Sequence, residues 1–250
     1  EWIENYCLTN NIDTLVIGIS GGIDSAVTSA LSAKTGLKTI VASMPILNHQ
    51  VLNQRGINHI KWLNDKFSNI ESVEVNLADV FSSFQLALNK NDSEHGYANS
   101  QARLRMATLY QIAASNNGIV VGTGNKVEDF GIGFYTKYGD GGVDISPIAD
   151  CLKTEVWGMA KELGINQEII DAPPTDGLWN DGRTDEDQVG FVSFNEDAAD
   201  QQLLLAIEKE LNGHKYQTFS NLCKQALWQF LSLSDSAQSL QSFQRLEQRV

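Results

Sequence analysis

The chain has 250 residues, 42% of them hydrophobic and 20% charged, enough for one large α/β domain with or without a small helical appendage. Lys and Arg number 18 against 31 Asp and Glu, a net charge of −13. That argues against nucleic-acid and anionic-membrane partners, so an anionic ligand must meet a local cluster of donors or a bound cation.

Four short apolar, β-rich runs at 14–19, 38–44, 72–77 and 118–122 predict strands, and 23–34, 49–67 and 99–116 predict helices. Near-continuous apolar strands alternating with helices imply a parallel, doubly wound α/β sheet covered on both faces. Right-handed crossovers then put the carboxyl ends of the strands on one edge, where such sheets bind ligands. After Gly122 the chain turns glycine-rich and polar as far as residue 147. A helix at 153–163 follows, closed by Gly164 as a left-handed cap. Pro173-Pro174 breaks the chain before an acidic loop, 176–200, which reads either as a lid over bound ligands or as a solvated loop. Residues 201–250 are helical by pattern. The division expected is a domain at 1–190 and a helical C-terminal extension at 191–250, packed on the same domain.

No run reaches the ~20 apolar residues of a membrane span, and no signal-peptide pattern opens the chain. Cys7, Cys151 and Cys223 are widely spaced and form no CxxC pair, which suits a reducing cytoplasm rather than a disulfide framework or a zinc site.

Directly after the first strand comes Gly18-Ile19-Ser20-Gly21-Gly22-Ile23-Asp24-Ser25, running into a helix. Small residues between strand and helix leave backbone N–H groups free to converge at the positive end of the helix, an anion cradle for phosphate or pyrophosphate. A carboxylate there, Asp24, makes sense as a Mg²⁺ ligand. The GxxxxGK[ST] loop is excluded, because no Gly-Lys pair occurs in the chain. Gly18 to Gly22 also matches the G-x-S-x-G nucleophile elbow. The histidines then needed are poorly placed: His49 and His59 at helical positions, His95 in a polar loop, and His214 as the one candidate partner. An ordinary βα turn explains two glycines but not the whole Ser-Gly-Gly-x-Asp-Ser string.

That string resembles the pyrophosphate loop of the N-type ATP pyrophosphatases, which split ATP into AMP and pyrophosphate. Three further segments resemble NAD synthetase within that superfamily: Ala102-Arg103-Leu104-Arg105-Met106, Gly122-Thr123-Gly124-Asn125-Lys126-Val127-Glu128, and Thr136-Lys137-Tyr138-Gly139-Asp140-Gly141-Gly142-Val143-Asp144. Pro174-Thr175 and the acidic Asp185-Glu186 fit as well, so the resemblance spans roughly residues 1–190. It implies an adenine nucleotide alpha hydrolase-like fold, a homodimer, and amidation of nicotinic acid adenine dinucleotide (deamido-NAD) by ammonia through an acyl adenylate. By the same resemblance Asp24 and Glu128 hold Mg²⁺. Residues 18–25, Thr123, Lys153 and Thr175 bind ATP, while Arg103, Lys137 and Asp144 bind deamido-NAD. Asp24, Lys137 and Lys153 are the residues expected to carry the catalysis.

Each assignment has a plainer counterpart. Glu128 can be a solvated helix-end acid and Lys153 a surface lysine; a cation opening a helix needs an anionic partner, which a phosphate would supply. Lys137 and Asp144 can be fixed by local charge pairing in their glycine-rich loop. Arg103 and Arg105 lie about 200° apart around one helix, so only one faces the site. The resemblance selects Arg103 and leaves Arg105 to a surface or subunit contact. Between Glu128 and Lys137 this chain carries one residue more than many relatives. The family's C-terminal basic pair finds its one match in His214-Lys215. No cysteine stands in the setting of a glutaminase nucleophile, and the length leaves no room for that domain, so free ammonia is the expected nitrogen source. The rivals are a related ligase adenylating another carboxylate and a nucleotide-binding module without turnover.

Overall fold

A computed structural model describes residues 1–47, 50–89, 91, 93–175 and 177–179. Helix α1 (Trp2–Thr9) leads into β1 (Thr14–Gly18), α2 (Ile23–Ala33), β2 (Lys38–Ser43), α3 (Gln50–Lys66) and β3 (Ile70–Glu74). Helices α4 (Ala78–Leu88) and α5 (Glu94–Ser115) precede β4 (Gly118–Val120). A π-helix (Lys126–Ile132), α6 (Lys153–Leu163) and the short α7 (Gln167–Ile170) follow.

The strands form one parallel sheet in the order β3-β2-β1-β4. Leu15, Val16 and Ile17 of β1 are all fully buried, so this strand needs cover on both faces. Leu15 and Ile17 pack with Val27 of α2 and Val156 of α6, whereas Val16 packs with Ile40, Met106 and Leu109. Each such side chain contributes roughly 1.5–3 kcal/mol by leaving water. The order reverses at β1: the chain goes out to β2 and β3 on one side and returns to β4 on the other. A crevice is left at the carboxyl ends of β1 and β4, the usual ligand position in such sheets. An isolated parallel bridge between Val121 and Ile145 brings the glycine-rich segment back to this edge.

The doubly wound parallel sheet expected from the sequence is therefore present, with local corrections. β3 starts at Ile70, in register with Thr39, rather than at residue 72. Past its end, Val75 and Leu77 still donate to the carbonyls of Ser43 and Pro45, which keeps the following residues extended. Helices α1 and α4 escape the pattern because their apolar residues are not confined to a buried face; Leu8 and Leu86 are 61% and 82% exposed. Helix α5 begins at Glu94, capped by Ser93, whose hydroxyl accepts from the Gly96 N–H. His95 is thus on a helix and not in a loop. Helix α6 and its Gly164 cap, with φ of 72°, stand where the sequence places them. His49, most of the loop 176–200, the extension 191–250 and the pair His214-Lys215 lie outside the described residues. Among the described residues no helix is long and apolar enough to cross a membrane.

Candidate active site

The turn from β1 to α2 is built by its own side chains. Ser20 Oγ accepts the Gly22 N–H at 3.2 Å, and Ser25 Oγ accepts the Ser20 N–H at 3.3 Å while donating to the Gly22 carbonyl at 3.0 Å. Gly22 caps α2 without a side-chain bond, so the positive end of the helix faces the crevice. Gly21 has φ of +87°, in the left-handed region, and a Cβ built on it would lie 2.5 Å from the Leu52 carbonyl of α3. Only glycine meets both demands. The Ser20 hydroxyl is held by Gly22 and Ser25, and no histidine bonds it among the described residues. His59, fully buried, faces Ser29 Oγ at 3.0 Å instead. Among the described residues, then, the turn is knit from its own N–H groups and serines, and no histidine serves Ser20 as a base.

Three charges meet beside it. Lys153 Nζ lies 2.5 Å from Asp24 Oδ2 and 2.8 Å from Glu128 Oε1, with all three side chains at most 25% exposed. Glu155 caps α6 through the Leu152 N–H, which sets Lys153 at the first position of that helix. The anionic partner such a lysine needs is supplied by these carboxylates in the structure. Burial pulls the Lys153 ammonium toward deprotonation, but Asp24 and Glu128 more than offset it, so its pKa is raised and the group stays charged. Burial pushes the Asp24 carboxyl up against the pull of Lys153, and Glu128 adds to the push.

Asn125 is one residue to which the sequence reading gave no role. It is fully buried; its Oδ1 accepts the Val127 and Glu128 N–H groups and so caps the π-helix, while its Nδ2 donates to Asp24 Oδ1 at 3.1 Å. One amide thereby fixes Asp24 relative to Glu128. The signal was available: an Asn directly before a helical run is a cap. Asp129, next to Glu128, is half-buried and pushed up to about 6 by burial and by the charges of Asp140, Glu128 and Asp24.

These groups open on a cavity of about 560 Å³. Its wall holds the turn apart from Gly21, with Thr123, Glu128, Lys153 and Thr175, and also Arg55 and Arg105. Arg105, left to a surface or subunit contact by the resemblance, is on this wall and donates from Nε to the Met44 carbonyl. Arg103 is exposed and donates from Nε to the Lys137 carbonyl, and neither it nor Lys137 reaches the wall. The Lys137 ammonium lies 5.1 Å over the Tyr138 ring. Asp144 is exposed and bonds to the fold on both sides: Oδ2 accepts the Val120 N–H at 2.8 Å and Oδ1 accepts the Tyr110 hydroxyl at 3.0 Å.

The NAD synthase family model matches residues 1–235. An NH(3)-dependent NAD(+) synthetase of Carboxydothermus hydrogenoformans is 38% identical over 198 residues, covering 77% of this chain and 78% of that one. An NMN synthetase structure from Francisella tularensis superposes with a TM-score of 0.73 at 33% identity, covering 93% and 90% of the two chains. An NH3-dependent NAD synthetase from Campylobacter jejuni shares the fold, with a TM-score of 0.63 at 24% identity over 86% of this chain and 85% of that one. A phosphate-type turn, two carboxylates and a lysine gathered at a sheet switch point, in a chain matched along nearly its whole length, place this protein in the NAD synthase family.

Proposed function

We propose that the protein is a Mg²⁺-dependent NAD synthetase that amidates deamido-NAD with ammonia, using ATP and releasing AMP and pyrophosphate. The observation that carries this reading is the convergence of Asp24, Glu128 and Lys153 beside the Ser20–Ser25 turn in a chain of that family. The turn would seat the two phosphates that leave, its N–H groups and serines taking charge that grows as the bond to the α-phosphorus breaks. Thr123 and Thr175 stand on the same wall to position the nucleotide. The pyridine carboxylate attacks the α-phosphorus; ammonia then attacks the acyl carbon and AMP departs with the electron pair of its bond.

The residues fit the metal. Two carboxylates approach one point now held by an ammonium, and among the described residues no group of three or more His, Cys, Asp or Glu side chains gathers to hold a metal ion. Mg²⁺ is usually bound in this way, by one or two carboxylates with substrate phosphates and water filling the shell. Held by Asp24 and Glu128, it would supply neutralisation of the phosphate charge. Lys153 supplies a second, permanent cation.

Arg103 bonds the Lys137 carbonyl outside the cavity wall, which supports a dinucleotide that extends past this subunit toward a second copy, with Asp144 tying the Lys137 loop to β4 and to Tyr110 of α5. Exposed Val80, Phe84 and Leu86 on α4 offer apolar surface for such a homodimer. His214 and Lys215 remain candidates for the same ligand. Free thiols at Cys7 and Cys151 support a cytoplasmic setting.

A second reading is favoured by one observation: the NMN synthetase matches more of this chain, and at higher identity, than the Campylobacter enzyme. The same chemistry would then fall on nicotinic acid mononucleotide. Both readings are tested by incubating the protein with ATP, Mg²⁺, ammonium and either acid, and measuring the amide, AMP and pyrophosphate. Amidation of the mononucleotide alone would replace the first reading by the second; amidation of neither would leave a different ligase or a nucleotide binder.

A further inference from the structure

We propose that Arg55 is a phosphate-binding residue of this site, directed at the pyrophosphate half of the nucleotide; the proposal rests on the reading of the turn as an ATP site. Helix α3 is pressed against the turn. A Cβ on Gly21 would meet Leu52 O at 2.5 Å, Gly56 N at 3.1 Å and the Cβ of Arg55 at 3.5 Å. Arg55 therefore leaves its helix beside the turn, and its side chain forms part of the same cavity wall as Ser20, Asp24 and Lys153.

Its guanidinium is unusually unoccupied. The Nε–H is buried and has no hydrogen-bond partner, and no carboxylate lies within 4.0 Å of the group among the described residues. The acid that faces it is Glu168 of α7, whose Oε1 is taken by Asn58 Nδ2 at 2.9 Å. A buried donor left without an acceptor costs about 1–3 kcal/mol, so its presence calls for a ligand that completes it.

The other cations on the wall are already engaged. Lys153 is shared between Asp24 and Glu128, and Arg105 donates to the Met44 carbonyl. A triphosphate brings more negative charge to a wall that already carries Asp24, Glu128 and Asp129. Arginine, with a planar fork of donors, suits phosphate oxygens better than a single carbonyl. Burial lowers the Arg55 pKa, with Glu168 pulling it back, as expected of a desolvated cation awaiting an anion. The sequence reading passed over this residue because it lies in mid-helix, outside every motif.

The test is calorimetric titration of the full chain with inorganic pyrophosphate, a non-hydrolysable ATP analogue and AMP, each with Mg²⁺. Arg55→Ala and Arg55→Gln are expected to weaken pyrophosphate and the analogue at least tenfold and to change AMP less than twofold. Glu168→Gln is expected to leave pyrophosphate binding unchanged or tighter. Unchanged pyrophosphate affinity in both Arg55 variants, with a wild type that binds, overturns the role of Arg55 and leaves the ATP reading intact. Equal weakening of AMP and pyrophosphate, or loss of binding in Glu168→Gln matching that in Arg55→Ala, points to a merely structural arginine and overturns the proposal. A wild type that binds neither pyrophosphate nor the analogue overturns both readings. Thermal melts of the Ala and Gln variants show which of them is folded and can be read.

Discussion

Lys153 and Asp24, 129 positions apart in sequence, touch at 2.5 Å, and that contact joins the first turn of α6 to the first turn of α2. Replacing Lys153 by Met leaves Asp24 and Glu128 facing each other with little solvent. A loss of about 2–4 kcal/mol is expected in urea unfolding, because breaking a largely buried pair strands a charge. Turnover should fall by about 100-fold or more if the ammonium also meets phosphate. Coupling shows in the double variant: Asp24→Asn with Lys153→Met should cost less than the sum of the two, by about 1–3 kcal/mol. Strict additivity would mean that the contact contributes nothing.

Gly21 and Gly22 should respond differently to alanine. At Gly21 the new methyl group requires left-handed backbone and meets a main-chain carbonyl of α3 at 2.5 Å; at Gly22 it meets only Ser20 Oγ at 3.3 Å. Gly21→Ala should lose about 1–3 kcal/mol and raise KM for ATP. Gly22→Ala should melt close to wild type. Melting curves of both variants, recorded together, decide the matter, and equal losses would argue against the close approach of α3.

For Asp144 the expected effect is on stability. Its two oxygens accept the Val120 N–H and the Tyr110 hydroxyl, and burial together with this carboxylate pushes the Tyr110 pKa up to about 12. Asp144→Ala should lower the unfolding free energy by about 1–3 kcal/mol, since it orphans a backbone donor. A variant as stable as wild type, with a raised KM for deamido-NAD, would put the work of this carboxylate in substrate binding alone.

His59 predicts a pH dependence. Burial lowers its pKa from 6.5 to about 4, opposed by the Ala26 backbone, which favours the charged ring. The unfolded chain therefore takes up the proton first as the pH falls. Stability is complete above pH 6.5 and declines down to about pH 4, by up to about 3 kcal/mol. His59→Gln, which does not titrate, should remove that part of the acid sensitivity. Parallel unfolding profiles for the two proteins between pH 7 and 4 would exclude His59 as its source.

The sheet was legible because β1 has no polar face: Leu15, Val16 and Ile17 are apolar in succession, and only a two-sided core accepts that pattern. The turn between β1 and α2 was legible because Gly21 and the serines that shape it are local to it. Arg55 and Arg105 were not, since what places a residue on the cavity wall is the packing of α3 and α5 against the turn, and a helix sequence does not state which of its polar residues looks inward. Asp24 was named from the turn itself, Glu128 beside it as a metal ligand and Lys153 as an ATP residue from the resemblance. That they form one ion cluster, with Asn125 as its clamp, depends on contacts across about 100 residues that no spacing rule expresses. That both oxygens of Asp144 also bond to the fold was not legible either, since Val120 and Tyr110 lie 24 and 34 residues away.

The winding of residues 126–132 has a consequence for the carboxylate it carries. A π-helix closes its bonds five residues back, a rare form that recurs at functional sites. Here the cap at Asn125 pins the start of the segment and Gly133, with φ of 77°, closes it. Glu128 thus rides on a short coil anchored at both ends, and its reach is set by two residues that bear no charge of their own.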